Sequence, residues 1–255
     1  MKNITSIGLI LFGLCVVANA ELVDNFESYP PNTWPSSGWT MDGNANGLVV
    51  PDPVNPSNQA LRLYGVVGSY WGTCAYCPQS FPDEFILEAS VYNGSEYILG
   101  GGHGMRAAIV MRTGAAWPGW TNPSRRLVSF NGEGTILGGN WGVIGTYETE
   151  RWYEIAIHYH RNTQDVSLHY YLDGTYLGMV TPAIWDQSVE DGFDHINPYV
   201  GAGTAYFDNI RFYDLSGSPT VVPLPGAAIL GVAGWRLRRP RSLHAFVGSF
   251  SCSVP

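Results

Sequence analysis

The sequence has little positive charge. Lysine occurs once, as Lys2, and in residues 21–220 eight arginines stand against 21 acidic residues, a net charge of −13. A surface this acidic repels phosphate backbones, so the composition excludes nucleic-acid binding. Acidic clusters of this kind favour cation binding or simple solubility instead.

Long hydrophobic runs are also scarce. At the N-terminus, residues 1–20 begin with Lys2, continue through a short apolar stretch and close with Ala18, Asn19 and Ala20. This order is typical of a secretory signal peptide that is cleaved after Ala20. The apolar stretch is too short for a typical membrane helix. We therefore expect an exported protein of the cell envelope or the extracellular space.

Cysteine is rare. Removal of the signal peptide takes Cys15 with it and leaves Cys74, Cys77 and Cys252. A thioredoxin-type CxxC motif precedes a helix, and no helix signal follows Cys77; a zinc site would need two further ligands nearby. In an oxidising compartment we expect a local Cys74–Cys77 disulfide, with two thiols or a metal site as the alternatives.

Helical periodicity is missing, and short alternating runs separated by Gly, Pro, Asn and Asp replace it. In residues 150–180, apolar and polar side chains alternate along 152–160 and again along 166–172, and Asp173-Gly174 suits a tight hairpin turn. This pattern predicts three consecutive antiparallel strands. Further predicted strands are 46–50, 60–66, 84–92, 106–112, 126–130, 135–138 and 204–213. About ten strands in one domain, residues 21–214, predict an all-β, two-sheet antiparallel sandwich of the jelly-roll type.

The segments "DNFESYP", "RWYEIAIHYH…YYLDGTYLG" and "AYFDNIRFYD" resemble the concanavalin A-like lectin/glucanase superfamily of laminin-G-like jelly rolls. The resemblance covers most of residues 22–214 and implies an extracellular polysaccharide as partner. It also implies a structural Ca²⁺ ion where the first and last strands meet, since carboxylate and carbonyl oxygens suit this ion. The matching positions are Asp24, Asn25, Glu27 and Asp208. Alternation along the last strand predicts that Asp208 points inward, where hydrogen bonds are the alternative to a cation.

The C-terminal region resembles the PEP-CTERM sorting tails of bacterial envelope proteins. After a linker at 215–221, residues 222–241 combine a proline-rich signature, a short apolar segment and an arginine cluster. The matching residues are Val222, Pro223, Pro225, Arg236, Arg238 and Arg239. The resemblance implies processing by an exosortase and contact with the membrane, the arginines staying on the cytoplasmic side. Leu224 replaces the usual Glu, the apolar run is too short to span a bilayer, and 242–255 follow as an expected disordered tail.

Two sets of side chains are candidates for sugar binding, because exposed aromatic rings stack on the C–H faces of sugars. The first set lies in two aromatic loops and consists of Tyr70, Trp71, Trp117 and Trp120, which could equally plug the loops. The second set shares the outward face of the predicted hairpin and consists of Trp152, His158, His160, His169 and Tyr171. A metal site and an ordinary polar sheet face are the alternatives for this second set.

The sequence favours a non-catalytic protein. It contains neither the E-x-D-x-x-E strand of laminarinase-type relatives nor a nucleophile elbow. The expected function is therefore carbohydrate binding without turnover. The alternatives are a glycan lyase or hydrolase of the same fold, with His103, Arg106, His158 and His160 to test first, and a purely structural surface protein.

Overall fold

The computed structural model describes residues 20–42, 46–65, 73–96, 105–113, 124–162, 165–181, 193, 195–201 and 203–216. All of them belong to the first of two units, residues 1–221, and none to the second, residues 222–255. The predicted sorting segment, and the predicted signal peptide apart from Ala20 at the start of β1, therefore lie outside the described residues, and both stay predictions.

Every regular element in the described part of the chain is a strand, as the alternating sequence predicts. The fifteen strands are β1 Ala20–Asp24, β2 Thr40–Asp42, β3 Gly47–Pro51, β4 Gln59–Tyr64, β5 Thr73–Pro78, β6 Glu84–Asn93, β7 Met105–Arg112, β8 Ser124–Asn131, β9 Thr135–Gly138, β10 Val143–Thr146, β11 Trp152–Arg161, β12 Val166–Leu172, β13 Thr175–Val180, β14 His195–Val200 and β15 Thr204–Asp214.

The strands form two antiparallel sheets. The eight-stranded sheet has the order β13-β12-β11-β6-β15-β4-β3, with β1 paired to the second half of β15. The seven-stranded sheet has the order β10-β9-β8-β7-β14-β5-β2. Because chain neighbours such as β6 and β7 lie in different sheets, the chain crosses between the layers, and the predicted two-sheet antiparallel sandwich is confirmed.

One apolar core fills the space between the sheets. On β11, Tyr153, Ile155, Ile157 and Tyr159 all belong to this core, while the residues between them face away from it. Ile155 and Leu168 are 1% and 0% exposed, as alternation on these strands requires.

The β12–β13 turn also follows the prediction. Asp173 and Gly174 have φ angles of 47° and 78°, the left-handed pair that a two-residue hairpin turn needs.

The pairing of β12 with β13 is irregular. The register between the two strands shifts between Tyr170 and Tyr171, and Gly178 on β13 has a φ of 146°.

The last strand contains a bulge that the sequence did not predict. The register between β15 and β6 shifts between Asp208 and Arg211, and Asn209 has a φ of 49°. The extra residue reverses the alternation, because Phe207 and Ile210, three positions apart, both lie in the core. The prediction that Asp208 points inward is therefore wrong: its side chain lies on the opposite face of the sheet.

Candidate functional site

The outer face of the eight-stranded sheet, the face turned away from the core, carries the densest group of predicted site residues. On β11 it presents Trp152, Glu154, His158 and His160, since the alternate residues are buried in the core. Register with β6, β12 and β15 places further side chains beside them, because residues opposite each other in a sheet share a face.

Three aromatic rings from three adjacent strands form what we call the aromatic row: Trp152, Tyr92 and Tyr206. They stand directly opposite one another in the sheet. The ring centroids of Tyr92 and Trp152 are 5.6 Å apart, and those of Tyr92 and Tyr206 are 5.4 Å apart with perpendicular planes. Trp152 and Tyr206 are half-buried and flank the buried Tyr92.

The indole of Trp152 is fixed by a carboxylate. Its Nε1 donates a 3.0 Å hydrogen bond to Oδ1 of Asp52, a residue that is 8% exposed. Burial acts to raise the pKa of Asp52, but hydrogen bonds from the Val54 amide, the Trp152 indole and the Asn55 amide outweigh it and lower that pKa. The ionised carboxylate therefore holds the ring in one orientation.

Two carboxylates follow the aromatic row along the same face. Glu154 accepts a 2.8 Å hydrogen bond from the Ser90 hydroxyl, and Glu88 accepts one of the same length from the Tyr213 hydroxyl. Burial raises the pKa of Glu88, and the nearby Glu154 adds to this, against the opposing effects of Tyr213 and Arg211. These groups supply polar hydrogen-bonding partners next to apolar rings.

A second group, the histidine cluster, consists of Glu84, His158, His160 and His169. His158 Nε2 lies 3.0 Å from Glu84 Oε1, and His160 Nδ1 lies 3.6 Å from Glu84 Oε2. His158 stands opposite His169 on β12, with ring centroids 5.7 Å apart. Burial lowers the pKa of His169, and repulsion from His158 and His160 lowers it further.

The structure therefore brings the second predicted set onto one face, in two groups. Trp152 belongs to the aromatic row, while His158, His160 and His169 lie six or more residues along the strands, about 20 Å away. Tyr171 lies beside the exposed Tyr176, with centroids 5.2 Å apart. The first set, Tyr70, Trp71, Trp117 and Trp120, lies outside the described residues.

The metal alternative for the histidines gains no support. Among the described residues, no three His, Cys, Asp or Glu side chains are grouped so as to hold a metal ion. His158 has the Glu84 carboxylate as a hydrogen-bond partner instead.

The predicted calcium ligands are split between two places. Asp24 uses both carboxylate oxygens: Oδ1 accepts from the Phe26 amide at 2.8 Å, and Oδ2 accepts from Tyr29 Oη at 2.8 Å and Trp39 Nε1 at 2.7 Å. Its partner in the sheet, Ile210, is a core residue. Asp24 therefore faces the core side, whereas Asp208 lies on the other face of the sheet, so their orientations do not support one shared ion.

Glu27 and Asp208 fit a cation better. Asp208 is 3% exposed, and burial raises its pKa to about 6 despite hydrogen bonds from Asn58 and Asn209, with the charges of Glu27 and Asp52 adding to the rise. Between them, Gln59 donates its backbone amide to Glu27 Oε1 at 2.8 Å. Its buried side-chain Oε1 accepts no hydrogen bond from the described part of the chain. Ca²⁺ binding stays a prediction; the side chain of Asn25, the remaining predicted ligand, accepts a hydrogen bond from the Glu27 amide at 3.4 Å.

The predicted Cys74–Cys77 disulfide is not formed. The two residues lie on a strand, β5, three positions apart, and their side chains point to opposite faces. Cys77 packs in the main core, while Cys74 packs with Tyr76 and Tyr199 on the other face. Burial raises the pKa of the Cys77 thiol to about 11, with Asp24 and Glu21 adding to the effect. This thiol is therefore protonated and poorly nucleophilic.

Arg106, one of the residues to test first for catalysis, has a structural contact. Its guanidinium donates to the carbonyl of Gly94 at 2.8 Å and to that of Glu96. Arg106 therefore holds the segment after β6 against β7. His103 lies outside the described residues.

Sequence reasoning missed four aromatic residues that lie outside the apolar core. Tyr92 and Tyr206 complete the aromatic row, Tyr176 covers His169, and Trp141 stands 47% exposed on the seven-stranded sheet. Tyr92 in "SVY" and Tyr206 in "TAYF" could have been placed beside Trp152 only if the order of the strands in the sheet were known. Trp141 lies in "GGNWGV", whose Gly-Asn composition signals a turn.

No family model and no curated protein matches the sequence. Several solved structures align with this chain at low identity and with TM-scores below 0.5. The lectin UEA-II in complex with galactose is 10% identical, with 76% of this chain and 98% of that chain covered and a TM-score of 0.49. The endo-1,3-β-glucanase from Streptomyces sioyaensis is 12% identical, with 76% and 95% covered and a TM-score of 0.47. The alginate lyase vAL-1 from a Chlorella virus is 14% identical, with 69% and 93% covered and a TM-score of 0.46.

A sialidase also matches, over 69% of this chain but only 17% of its own length. Separately, no described residue belongs to a helix with the length and hydropathy needed to cross a membrane.

Proposed function

We propose that this chain is an exported, non-catalytic carbohydrate-binding protein and that the outer face of the eight-stranded sheet binds an extracellular polysaccharide. The observation that carries the proposal is the aromatic row. Half-exposed rings at Trp152 and Tyr206 flank Tyr92, with centroids 5.6 Å and 5.4 Å from its ring, and rings of this kind combine apolar contact with a polar edge. Glu154 and Ser90 lie next to them as hydrogen-bonding groups.

The rings are held in place before any ligand arrives. Asp52 fixes the Trp152 indole, and Tyr92 lies between its two neighbours on the central strand β6. Pre-organised side chains lose little conformational entropy on binding, which favours affinity from a small contact area. A row of rings across several strands suits an extended chain of sugars better than a single small ligand.

Affinity electrophoresis in gels that contain a neutral β-glucan, a galactan or a polyuronate tests the proposal. We expect at least one polysaccharide to retard the wild-type chain, and Tyr206→Ala to weaken binding about fivefold, equivalent to ~1 kcal/mol of lost stacking. Tyr206→Phe keeps the ring and should retain most of the binding. Val143→Ala, at a residue 63% exposed on β10 of the other sheet, is the surface control.

If a polysaccharide gel retards Tyr206→Ala and Trp152→Ala as strongly as the wild type, the aromatic row is not the binding surface. Release of reducing ends or unsaturated sugars from the same polysaccharides would instead support the glycan-degrading alternative.

Export and sorting form the second half of the proposal and rest on residues 1–20 and 222–241. The mature chain should begin at Glu21, and the exosortase-type tail should direct it to the cell envelope. Mass spectrometry of the N-terminus, together with fractionation of cells that express the full chain or a chain ending at Ser216, tests this. An intact Met1 or identical distributions of the two chains would contradict it.

A further inference from the structure

Trp141 occupies a backbone conformation that large side chains avoid. It lies in the turn between β9 and β10, where its amide donates to the Gly138 carbonyl at 3.0 Å and the Gly138 amide donates to the Gly142 carbonyl at 2.9 Å. Its φ is 66°, in the left-handed region where a Cβ is unfavourable and glycine is the usual residue. Its side chain is nevertheless 47% exposed, so burial does little to offset the strain.

One face of the indole is already covered. The guanidinium carbon of Arg126 lies 3.1 Å from the ring centroid, a cation–π contact that fixes the ring plane. The exposed part of the side chain therefore belongs to the opposite face and the edges. Gly142, the next residue along the chain, has no side chain that could cover the ring. The result is a rigid, flat surface that is open on one side.

We propose that Trp141 is a second sugar-binding site, on the seven-stranded sheet, where its open face stacks on a pyranose ring of a glycan. Arg126 is the positioning residue that holds the indole flat. Backbone strain at an exposed residue is a feature of functional positions, where a less stable residue is kept for what it does.

The size of the surface favours a sugar over a protein. The open face is one indole, whereas a stable protein interface buries about 800 Å² on each partner. Among the described residues, Val143 is the neighbouring large apolar side chain. It is 63% exposed and adds little apolar area to the indole face. One pyranose ring matches an indole in area and shape. This inference rests on the proposed function for its ligand class but concerns a different site.

Trp141→Gly is the decisive variant, because glycine suits a φ of 66° and the fold should survive. We expect its midpoint of thermal unfolding to equal or exceed that of the wild type. In a gel that retards the wild type, we expect it to bind the polysaccharide about fivefold more weakly. Val143→Ala, at an exposed neighbour, should bind as the wild type does.

The indole N–H signals in a ¹⁵N-correlated NMR spectrum locate the contact. The signal that disappears in Trp141→Gly is assigned to Trp141, and in the wild type it should shift when the oligosaccharide of the retarding polysaccharide is added. Arg126→Lys, which removes the planar group behind the ring, should weaken binding in the same direction.

The outcomes separate this site from the aromatic row. If Trp141→Gly binds as the wild type does while Tyr206→Ala binds more weakly, the Trp141 site is overturned and the proposed function still stands. The reverse result supports the Trp141 site and removes the aromatic row. Concentration-dependent dimerisation that is lost in Trp141→Gly, with an unshifted indole signal, would make Trp141 a contact between copies of the chain and overturn the inference.

Discussion

The hydroxyl of Tyr170 donates a 2.7 Å hydrogen bond to the backbone carbonyl of Leu127, which lies in the opposite sheet. The same hydroxyl accepts a 2.8 Å hydrogen bond from the amide of Gly139. Tyr170 is fully buried. A single phenol oxygen thus satisfies two backbone groups where β12 of one layer packs against β8 and the end of β9 in the other.

Tyr170→Phe should lower the free energy of unfolding by about 1–3 kcal/mol, because it leaves a buried carbonyl and a buried amide without their shared partner. Urea denaturation at pH 7 measures the change, with an unaltered slope as evidence that the fold is retained. Tyr176→Phe removes a hydroxyl from a ring that is 41% exposed and should change stability by less than about 0.5 kcal/mol. Equal effects of the two substitutions would contradict the bridging role of Tyr170.

Gly203 and Gly38 form a matched pair of glycine positions. Both have positive φ, 126° and 75°. A Cβ on Gly203 would collide with the carbonyl oxygen of Glu96, whereas a Cβ on Gly38 would meet no atom within 4 Å. Gly38→Ala should therefore cost only the backbone strain, about 1 kcal/mol, and Gly203→Ala should cost clearly more. Thermal unfolding of the two variants tests this order, and a reversed order would show that the approach of Gly203 to Glu96 is not tight.

The buried carboxyl of Asp208 should make stability depend on pH. Burial raises its pKa to about 6, above the value of about 4 expected in the unfolded chain. Between these values the folded chain keeps a proton that the unfolded chain releases. The contribution of Asp208 to the free energy of unfolding should therefore fall as pH rises from about 4 to about 6, and then stay at the lower level.

Asp208→Asn removes the pH dependence that Asp208 causes. The difference in the free energy of unfolding between wild type and variant, measured in buffer that contains a chelator, therefore isolates the contribution of Asp208. We expect the difference to change in favour of the variant between pH 4 and pH 6 and to be constant above. A difference that does not vary over this range would show that the Asp208 pKa is not raised.

Added Ca²⁺ should offset the cost of ionised Asp208. We expect millimolar Ca²⁺ at pH 7.5 to raise the midpoint of thermal unfolding, and Glu27→Gln or Asp208→Asn to abolish that rise. Asp24→Asn should lower the starting stability, since Asp24 bonds Trp39 and Tyr29, but should leave the Ca²⁺-dependent rise intact. A rise that survives in Glu27→Gln, or the lack of one in the wild type, would contradict this smaller calcium site.

Much of the fold follows from periodicity two in the sequence. The alternation along 152–160 and 166–172 fixes which side chains enter the core, and Ile155 and Leu168 lie there as predicted. The hairpin turn at Asp173-Gly174 was readable because only a few residue pairs accept two left-handed φ angles in succession.

The strands that were missed lack such signals. β5 reads as a loop because its Cys, Ala and Tyr side chains are buried on both faces, which leaves no alternation to detect. β14 contains Pro198. Proline has no amide hydrogen to donate, so its presence argues against a strand that pairs with neighbours on both sides.

The candidate site was only half accessible from sequence, for a related reason. His158, Trp152 and His169 lie within one hairpin, so local alternation places them together. Tyr92, Tyr206 and Glu84 join them through pairings between strands far apart in the chain. The orientation of Asp208 depended on the bulge at Asn209. One extra residue in a strand changes which face of the sheet each side chain beyond it lies on, so predictions from alternation fail there.

The irregular β13 has a consequence for the behaviour of the chain at high concentration. β13 ends the strand order of the eight-stranded sheet, and an outermost strand with a straight, regular backbone can act as a template on which another molecule adds a strand. The register shift at Tyr170 and Tyr171 and the unusual φ of Gly178 interrupt that backbone halfway along. β13 is therefore a poor template for edge-to-edge strand addition at this end of the sheet.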